Sequence, residues 1–515
     1  MNKLDSLKKE NLSLRKETEL YKGKYKQSVE AYDRLLHAFK QSQRREFGSS
    51  SERCFDNDPS QSDMLSNVEA RPLVEDDDEE GEDTNPRKRK SKRKDFAKNL
   101  PRREVIIPAE DKGPNDRVIR YEKTELLNYV PAVYEIIVQK REVVVSQVKG
   151  SDLSTIKIAP NPLRLLPKAG VTESFLANAI VSKFYDRQPL YHLEKKFDER
   201  FDFICPRQKL ARWVIASANY LQPLVNLIKD TILDYDVTAC DPTHIQVLNE
   251  PGRAPTDKSY MFTIRGGPPD KKVVCYEYNA TQHKQFTQRW FGGYKGYLLV
   301  DGQNIFDALA QNQDITLQLC NSHARRKFEP ISKAAQKAGL AGQAMSFYKA
   351  LYTIERRAKD EGMTPEERYA WRLERSKPLM DRFDAWVEEK RPLTLPKSPL
   401  GKAFYYVSVR NTGLRRFLED GRVEIDTNLL EQKNKYLALA RNNFLFSYSV
   451  NGAKALGVHM SLIFTALEHQ MDPYHYYVNM MQRIPHCQTV EDYEALLPWN
   501  IELPQPVEQQ KEAQI

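Results

Sequence analysis

The stretch Gly296-Tyr-Leu-Leu-Val-Asp301-Gly302 decides the fold that we predict for this chain. Its apolar run, Tyr297–Val300, is typical of a short buried strand, and an aspartate followed by a glycine ends it. A carboxylate at the end of a buried strand is unfavourable unless it is paired, and a divalent metal ion is a suitable partner for its oxygens. We therefore predict a buried strand that carries a metal-binding acid.

Two other stretches contain acids that fit the same metal site. Tyr235–Leu248 reads as a second acid-bearing strand with Asp241, and Val423–Lys435 reads as a turn that leads into a helix with Glu431. We predict that Asp241, Asp301 and Glu431 converge to hold two divalent ions, Mg²⁺ or Mn²⁺, that act on a DNA backbone. The pattern alone leaves the alternative open that these acids are solvated carboxylates or helix caps.

Further β-type runs surround these acids, and the candidate helix Thr281–Trp290 lies between the third and fourth of them. The predicted strands are Asp236–Cys240, Tyr260–Ile264, Val273–Tyr278, Tyr297–Val300 and Ile315–Leu319. Acids on the first and fourth strands predict an α/β core with a mixed sheet of the ribonuclease H type. The chain then becomes helical from about residue 324 to residue 420, which predicts a helical insertion before Glu431.

Composition limits the class of protein. The 515 residues are 40% hydrophobic and 29% charged, which indicates several domains with large solvated surfaces. Six scattered cysteines, with no Cys-x-x-Cys pair, indicate reduced thiols rather than a disulfide framework. No apolar run approaches the roughly 20 residues of a membrane span, and the charged N-terminus does not resemble a signal peptide. We predict a cytoplasmic protein.

The N-terminal region predicts self-association. Apolar residues recur at heptad spacing over residues 1–45, which favours a coiled coil, although a single amphipathic helix packed on its own body is the alternative. Residues 46–98 are predicted to be disordered, because the acidic run Glu75–Asp83 and the basic run Arg87–Lys94 cannot bury enough apolar surface. The basic run either contacts DNA phosphates or serves as a solubilising linker.

Between these regions and the core, the pattern predicts a small sheet and then helices. Short β-type runs occur at Val105–Ile107, Val118–Tyr121, Val133–Val138 and Val143–Val148. In the helical part, Cys205–Trp213 places proline near a helix start and basic residues on its first turns. This is compatible with a helix-turn-helix element that binds DNA through Arg207, Lys209 and Arg212, although an ordinary helical hairpin fits equally well.

Taken together, these residues resemble the large transposase of the insertion sequence 66 family, a DDE-type enzyme. The matching segments are Arg45–Glu52, Glu125–Ala132, Arg187–Leu193, Asp241-Pro-Thr243, Val300-Asp301-Gly302, Cys320-Asn-Ser-His-Ala-Arg-Arg-Lys-Phe328, Glu424–Glu431 and Leu497–Asn500. The resemblance implies a transposase that cuts and joins element ends, with Asp241, Asp301 and Glu431 as its metal-binding triad. It also implies DNA and further copies of the chain as partners, with accessory proteins of the same element as possible additional ones.

Basic residues beside the acids are candidates for phosphate binding. They are Arg325, Arg326 and Lys327 at a predicted helix start, and Lys433 and Arg441 beyond Glu431. Cys320 and His323 form only a pair, which cannot close a tetrahedral zinc site, so we predict a structural histidine and no zinc.

The chain departs from the family pattern at three places. No cysteine lies between Cys54 and Cys205, where the family has zinc ligands, so the small β domain is expected to keep its sheet without metal. Pro242 and Gln432 replace a glutamate and an arginine of the family pattern beside two of the acids. These changes keep two alternatives open: a catalytically impaired DNA-binding protein that retains the transposase scaffold, and a purely structural coiled-coil protein.

The predicted organisation follows from these observations. Its parts are a coiled coil (1–45), a linker (46–98), a small β domain (99–160), a helical DNA-binding region (161–235), the first part of the core (236–327), a helical insertion (328–422), the second part of the core (423–485) and a C-terminal tail (486–515).

Overall fold

The computed structural model describes residues 134–147, 154–312, 314–335 and 339–503. The predicted coiled coil and linker lie outside these residues, as do the predicted strands at 105–107 and 118–121. The helices and strands below belong to one compact unit, Ile137–Ile515. Within the described ranges, none of the helices combines the length and the apolar character needed to cross a lipid bilayer.

The strands form a two-stranded ladder and a larger mixed sheet. They are β1 (Val143–Gln147), β2 (Ser154–Ile158), β3 (Val237–Asn249), β4 (Lys258–Gly266), β5 (Val273–Asn279), β6 (Gly296–Val300), β7 (Ile315–Leu319) and β8 (Ser447–Ser449). β1 and β2 pair antiparallel. The larger sheet has the order β5-β4-β3-β6-β7, and β8 joins the far end of β3. β3, β4 and β5 run antiparallel to one another, whereas β6 and β7 run parallel to β3.

Helices surround this sheet and make up most of the chain after β7. They are α1 (Glu173–Phe184), α2 (Leu190–Phe201), α3 (Arg207–Leu233), α4 (Lys284–Trp290), α5 (Asn321–Ala334), α6 (Gly339–Asp360), α7 (Pro365–Trp371), α8 (Lys377–Lys390), α9 (Pro399–Val409), α10 (Asn411–Arg415), α11 (Asn428–Phe444), α12 (Val450–Glu468), α13 (Pro473–Arg483) and α14 (Val490–Glu494). A mixed α/β architecture is therefore confirmed.

The exposed edge of β5 is covered by α12 rather than by another strand. Ser461 Oγ and Thr465 Oγ1 on this helix accept hydrogen bonds from the backbone N–H groups of Tyr276 and Val274, at 2.8 and 3.1 Å. Gly457 permits this close approach, because a Cβ at that position would lie 2.6 Å from the Tyr276 carbonyl oxygen. Side-chain hydroxyls thus satisfy an edge that would otherwise present unpaired backbone groups.

Arg372 anchors the helical segment between α5 and α11 to the rest of the core. Its fully buried guanidinium pairs with Glu355 at 2.7 Å and donates to the carbonyl oxygens of Phe417, Asp420 and Val423 at 2.8–3.0 Å. These carbonyls belong to the segment that leads back to the sheet and into α11. One buried side chain therefore holds the segment that leads into α11.

The predicted strands of the core are confirmed, with different bounds for some of them. β7 has the predicted bounds, whereas β3 continues to Asn249 because β4 and β8 supply pairing partners along its length. The predicted helix at 281–290 begins only at Lys284.

One predicted strand is wrong. Residues 134–138 form no strand, and Ile136 and Val138 are 89% and 73% exposed. β-branched residues favour a strand only where a partner strand and a packed face are available, and the described residues provide neither here.

Candidate active site

Asp241 and Asp301 lie on neighbouring parallel strands. β3 and β6 pair in a register that matches Val237 with Tyr297 and Ala239 with Leu299. When this register is continued two residues further along both strands, Asp241 lies beside Asp301. Neighbouring strands are about 4.8 Å apart, so the strand positions themselves bring the two acids together.

Asp301 is held by the residues that follow it. Its carboxylate is 9% exposed and accepts hydrogen bonds from the backbone N–H of Gln303 at 3.0 Å and from Gln303 Nε2 at 2.5 Å. Gly302 between them has φ +84°, and a Cβ there would lie 2.6 Å from the Tyr406 hydroxyl. A glycine is thus required after Asp301, both because its φ is positive and because a Cβ would not fit beside Tyr406.

Asp241 is half-buried in the middle of β3 and is oriented from α11. Asn434 Nδ2 donates to its Oδ2 at 2.5 Å, while Asn434 Oδ1 accepts a hydrogen bond from Thr263 on β4 at 2.5 Å. Asn434 lies three residues after Glu431, on the same face of the helix. The helix that carries the third acid therefore also orients the first.

Glu431 lies in the first turn of α11 and faces the start of α5. Arg326 donates to its Oε2 at 2.6 Å, and His323 Nδ1 lies 3.7 Å from its Oε1. The helix start is held by Asp426, which accepts hydrogen bonds from the backbone and side-chain nitrogens of Asn428 at 2.9 and 2.7 Å. Asp426, one residue before the N-cap Thr427, thus helps to fix the first turn of α11.

The three acids affect one another electrostatically. Burial raises the pKa of Asp241 well above its usual value, and the negative charges of Asp301 and Glu431 raise this pKa further. Burial also raises the pKa of Asp301. Burial lowers the pKa of His323, against the opposing effect of the charges on Glu431 and Asp301. Partly desolvated carboxylates that repel one another form a donor set suited to a hard divalent cation such as Mg²⁺.

Pro242 does not interrupt β3. It lies opposite Phe262 of β4, after the stretch in which β3 pairs with β6 and before the stretch in which it pairs with β8. This part of the strand is therefore unpaired on one edge, where a residue without a backbone N–H is tolerated. Pro242 is therefore compatible with a continuous β3 that carries Asp241.

The basic residues at the start of α5 differ in their surroundings. Arg326 and Lys327 are exposed, the former paired with Glu431 and the latter placed 5.4 Å from the centre of the Tyr406 ring. Arg325 is half-buried, 3.8 Å from Glu329 and over the Tyr352 ring. Arg326 and Lys327 are thus the two that face solvent beside the acids.

The basic residues on α11 have internal partners. Lys433 pairs with Glu468 at 2.5 Å, and Arg441 donates to the backbone carbonyl of His244. Burial lowers the pKa of Arg441. These contacts make both residues poorer candidates for phosphate binding than their sequence positions indicated.

The three basic residues near the start of α3 are exposed. Leu210 and Trp213 of the same helix are buried, at 1% and 9% exposed. Lys209 lies over the Trp213 ring and Arg207 over the Tyr191 ring, at 5.0 and 5.5 Å from the ring centres. A five-residue connection joins α2 to this helix. Arg207, Lys209 and Arg212 are thus each exposed to solvent near the start of α3.

Sequence reasoning missed two residues that orient the acids, Asn434 and Gln303. A helical spacing of three from Glu431 would have drawn attention to the first. The second follows Asp301 by two residues, a common spacing for a local hydrogen bond to a carboxylate.

Two proteins of Sinorhizobium fredii show the extent of the similarity to known chains. The uncharacterized protein y4jD is 29% identical over 466 residues, which cover 86% of this chain and 89% of the relative. The uncharacterized protein y4qI is 29% identical over 434 residues, which cover 81% of this chain and 78% of the relative. The similarity thus extends over most of both chains.

Three family models match successive parts of the sequence. Residues 34–105 match the model described as transposase C of IS166 homeodomain, and residues 461–499 match the IS66 C-terminal element. Residues 168–455, which include all three acids, match the transposase IS66 family. The chain therefore belongs to the IS66 family of transposases.

Proposed function

We propose that this protein is a DDE-type transposase that cleaves and joins DNA at the ends of an insertion sequence, with Asp241, Asp301 and Glu431 as its metal-binding acids. The observation that carries the proposal is the register of β3 and β6, which brings Asp241 beside Asp301. Asn434, on the same helix as Glu431, donates a hydrogen bond to Asp241 Oδ2 and so joins that helix to the pair of aspartates. The acids lie 60 and 130 residues apart along the chain, and a common metal site would account for this arrangement.

The sheet supports a ribonuclease H-like core. Its first three strands form an antiparallel meander, and the fourth and fifth add in parallel on the other side of the first strand. The acids lie on the first strand, at the end of the fourth, and on a helix that follows a long helical insertion. This is the placement that we predict for a two-metal phosphoryl-transfer site.

The protein's own residues would hold and orient the reactants. Asn434 orients Asp241 and Gln303 orients Asp301, so that both carboxylates present oxygens to the same space. Two Mg²⁺ or Mn²⁺ ions bound there would stabilise charge on the attacking and leaving oxygens of the phosphodiester. Arg326 and Lys327 would bind DNA phosphates beside the acids, as point charges that fix the backbone in place.

The remaining parts of the predicted organisation complete the proposal. The exposed basic residues at the start of α3 would contact element-end DNA, and the coiled coil predicted for residues 1–45 would bring two copies, and hence two ends, together. Accessory proteins of the same element would join this assembly. The C-terminal tail and the degenerate β domain have no assigned step.

The test is cleavage of labelled element-end DNA by the full-length protein with Mg²⁺ or Mn²⁺. Asp301→Asn should abolish cleavage and strand transfer while DNA binding persists, because a metal ligand is lost and the basic surfaces remain. Asp314→Asn is the matched control, since Asp314 is 54% exposed and lies 3.5 Å from Lys295 in a surface ion pair. DNA that the unaltered protein binds but never cuts would instead favour an impaired DNA-binding protein.

A further inference from the structure

A second group of metal-ligating atoms includes Glu431. Cys320 Sγ, a ring nitrogen of His323 and a carboxylate oxygen of Glu431 all lie within 4.8 Å of one another. They come from the end of β7, the first turn of α5 and the first turn of α11. The sequence offers only the Cys320 and His323 pair, and the fold supplies the third ligand.

The atoms of this group are arranged as ligands would be. His323 Nδ1 is buried without a hydrogen-bond partner and lies 3.7 Å from Glu431 Oε1. Cys320 Sγ accepts hydrogen bonds from the backbone N–H and the hydroxyl of Thr427, at 3.3 and 3.2 Å. Ligands of a tetrahedral zinc ion lie about 3.3–3.8 Å apart, so a small contraction of the group would complete such a site.

We propose that Cys320, His323 and Glu431 bind one transition-metal ion of the Zn²⁺ or Co²⁺ class, with a fourth position open to solvent. A thiol–imidazole–carboxylate set selects such ions over Mg²⁺, because Mg²⁺ requires oxygen ligands in octahedral geometry. The inference goes beyond the proposed function, because Glu431 would also bind a metal ion of a different class. It does not depend on DNA cleavage.

Arg326 competes with this metal ion. Its guanidinium is 2.6 Å from Glu431 Oε2 and 3.4 Å from His323 Nε2, so it supplies the positive charge that these groups lack. Metal binding through Nδ1 leaves the proton on Nε2, which then repels the arginine N–H groups. The Arg326 side chain is 40% exposed and has room to move into solvent, where DNA phosphates would bind it.

A purely structural role for Cys320 is the competing explanation. The thiol is buried at the start of α5, and its hydrogen bonds with Thr427 would by themselves connect α5 to α11. In that case the protein would bind no transition metal at this place, and removal of Arg326 would leave metal affinity unchanged.

The experiment is titration of reduced, full-length protein with Co²⁺, followed by the absorption of the sulfur-to-cobalt charge-transfer band and the visible ligand-field bands. One equivalent per chain should give a thiolate-bound, four-coordinate spectrum that Zn²⁺ then removes. Cys320→Ser should abolish the charge-transfer band, and His323→Asn should weaken Co²⁺ binding by about 100-fold or more. Circular dichroism checks that each variant is folded. If Cys320→Ser does not fold, the Co²⁺ affinity of His323→Asn decides the test.

Matched controls separate this site from other thiols and other arginines. Cys275→Ser, at a buried cysteine of β5, should leave the band intact. Arg326→Gln should tighten Co²⁺ binding about fivefold, because a competing ion pair is lost, whereas Arg325→Gln should not. A missing band, or a band unaffected by Cys320→Ser, overturns the site. Unchanged affinity in Arg326→Gln overturns the competition. Either result leaves the cleavage test of the proposed function unaffected.

Discussion

The two aspartates and the glutamate of the acid cluster are positioned in different ways. Asp241 and Asp301 lie on adjacent strands, where backbone hydrogen bonds define their separation. Glu431 lies at the start of a helix that the chain reaches only after the segment α5–α10, and side-chain contacts to Arg326 and Thr427 hold it. The sheet half of the site is thus positioned by strand register, and the helix half depends on packing far from it.

This difference has an electrostatic counterpart. Asp241 and Asp301 accept hydrogen bonds, but within the part of the chain that the structure describes neither forms an ion pair with a basic side chain, and burial raises the pKa of both. Glu431 is paired with an arginine. The sheet half is therefore less well compensated for burial of its charges than the helix half. The contrast indicates that charge compensation by a cation matters most on the sheet side.

The largest expected effect comes from neutralising one acid in each half. If the proposed function is right, Asp241→Asn and Glu431→Gln should each lower DNA cleavage by at least about 1000-fold, because each would remove a proposed metal ligand. Their effects on metal-free stability should differ in sign. Asp241→Asn should raise Tm, since a desolvated charge is removed, whereas Glu431→Gln should not, since Arg326 loses its partner. Differential scanning calorimetry of both variants without divalent ions checks this, and equal shifts in Tm would contradict the comparison.

A smaller effect is expected from Arg372, which anchors the route to the helix half. Arg372→Met should destabilise the protein by about 3–5 kcal/mol, because Glu355 and three carbonyl groups lose a buried partner. Hydrogen exchange should accelerate over 416–431 more than over β3 and β6. Arg375→Met is the control, since Arg375 is 55% exposed, pairs with exposed Glu374 and lies over the Trp371 ring rather than against buried carbonyl groups. Uniform acceleration across the sheet would show that the two halves do not unfold separately.

A third change tests the rigidity of the sheet half. Gly302→Ala should lower stability by about 2 kcal/mol and reduce cleavage, because the residue has φ +84° and its Cβ would clash with the Tyr406 hydroxyl. Tyr406→Phe added to it should recover part of the loss by removing the clashing oxygen. Gly362→Ala, with φ +66° and no atom within 4 Å of the added Cβ, isolates the backbone contribution. Urea unfolding of the four proteins provides the measurement.

The smallest effect is the pH dependence of metal-free stability. The folded-state pKa of Asp241 lies above the unfolded value, so its stabilising contribution is fully present below the unfolded pKa and is lost as pH rises through the folded pKa. Relative to Asp241→Asn, the unaltered protein should therefore gain Tm as the pH falls from 7 towards 5. Mg²⁺ should reduce this difference, because it stabilises the ionised form. A pH profile parallel to that of the variant would contradict the assignment.

The core strands could be predicted from the sequence because their apolar runs are buried on packed faces. The Asp-Gly pair at 301–302 could be predicted for the same reason, since it ends such a run. The strand predicted at 133–138 was wrong because its residues have the right type but no described partner strand. Local composition determines which residues are able to form a strand, and pairing decides which of them do so.

The amino-acid sequence by itself determined the family, the α/β character and the identity of the three acids as candidates, since these depend on residue types and their order. Only the tertiary structure decided that Asn434 orients Asp241, that Glu468 pairs with Lys433, and that Glu431 joins Cys320 and His323. Each of these contacts joins residues more than 30 positions apart. Such contacts depend on how the helices pack on the sheet, which no local pattern encodes.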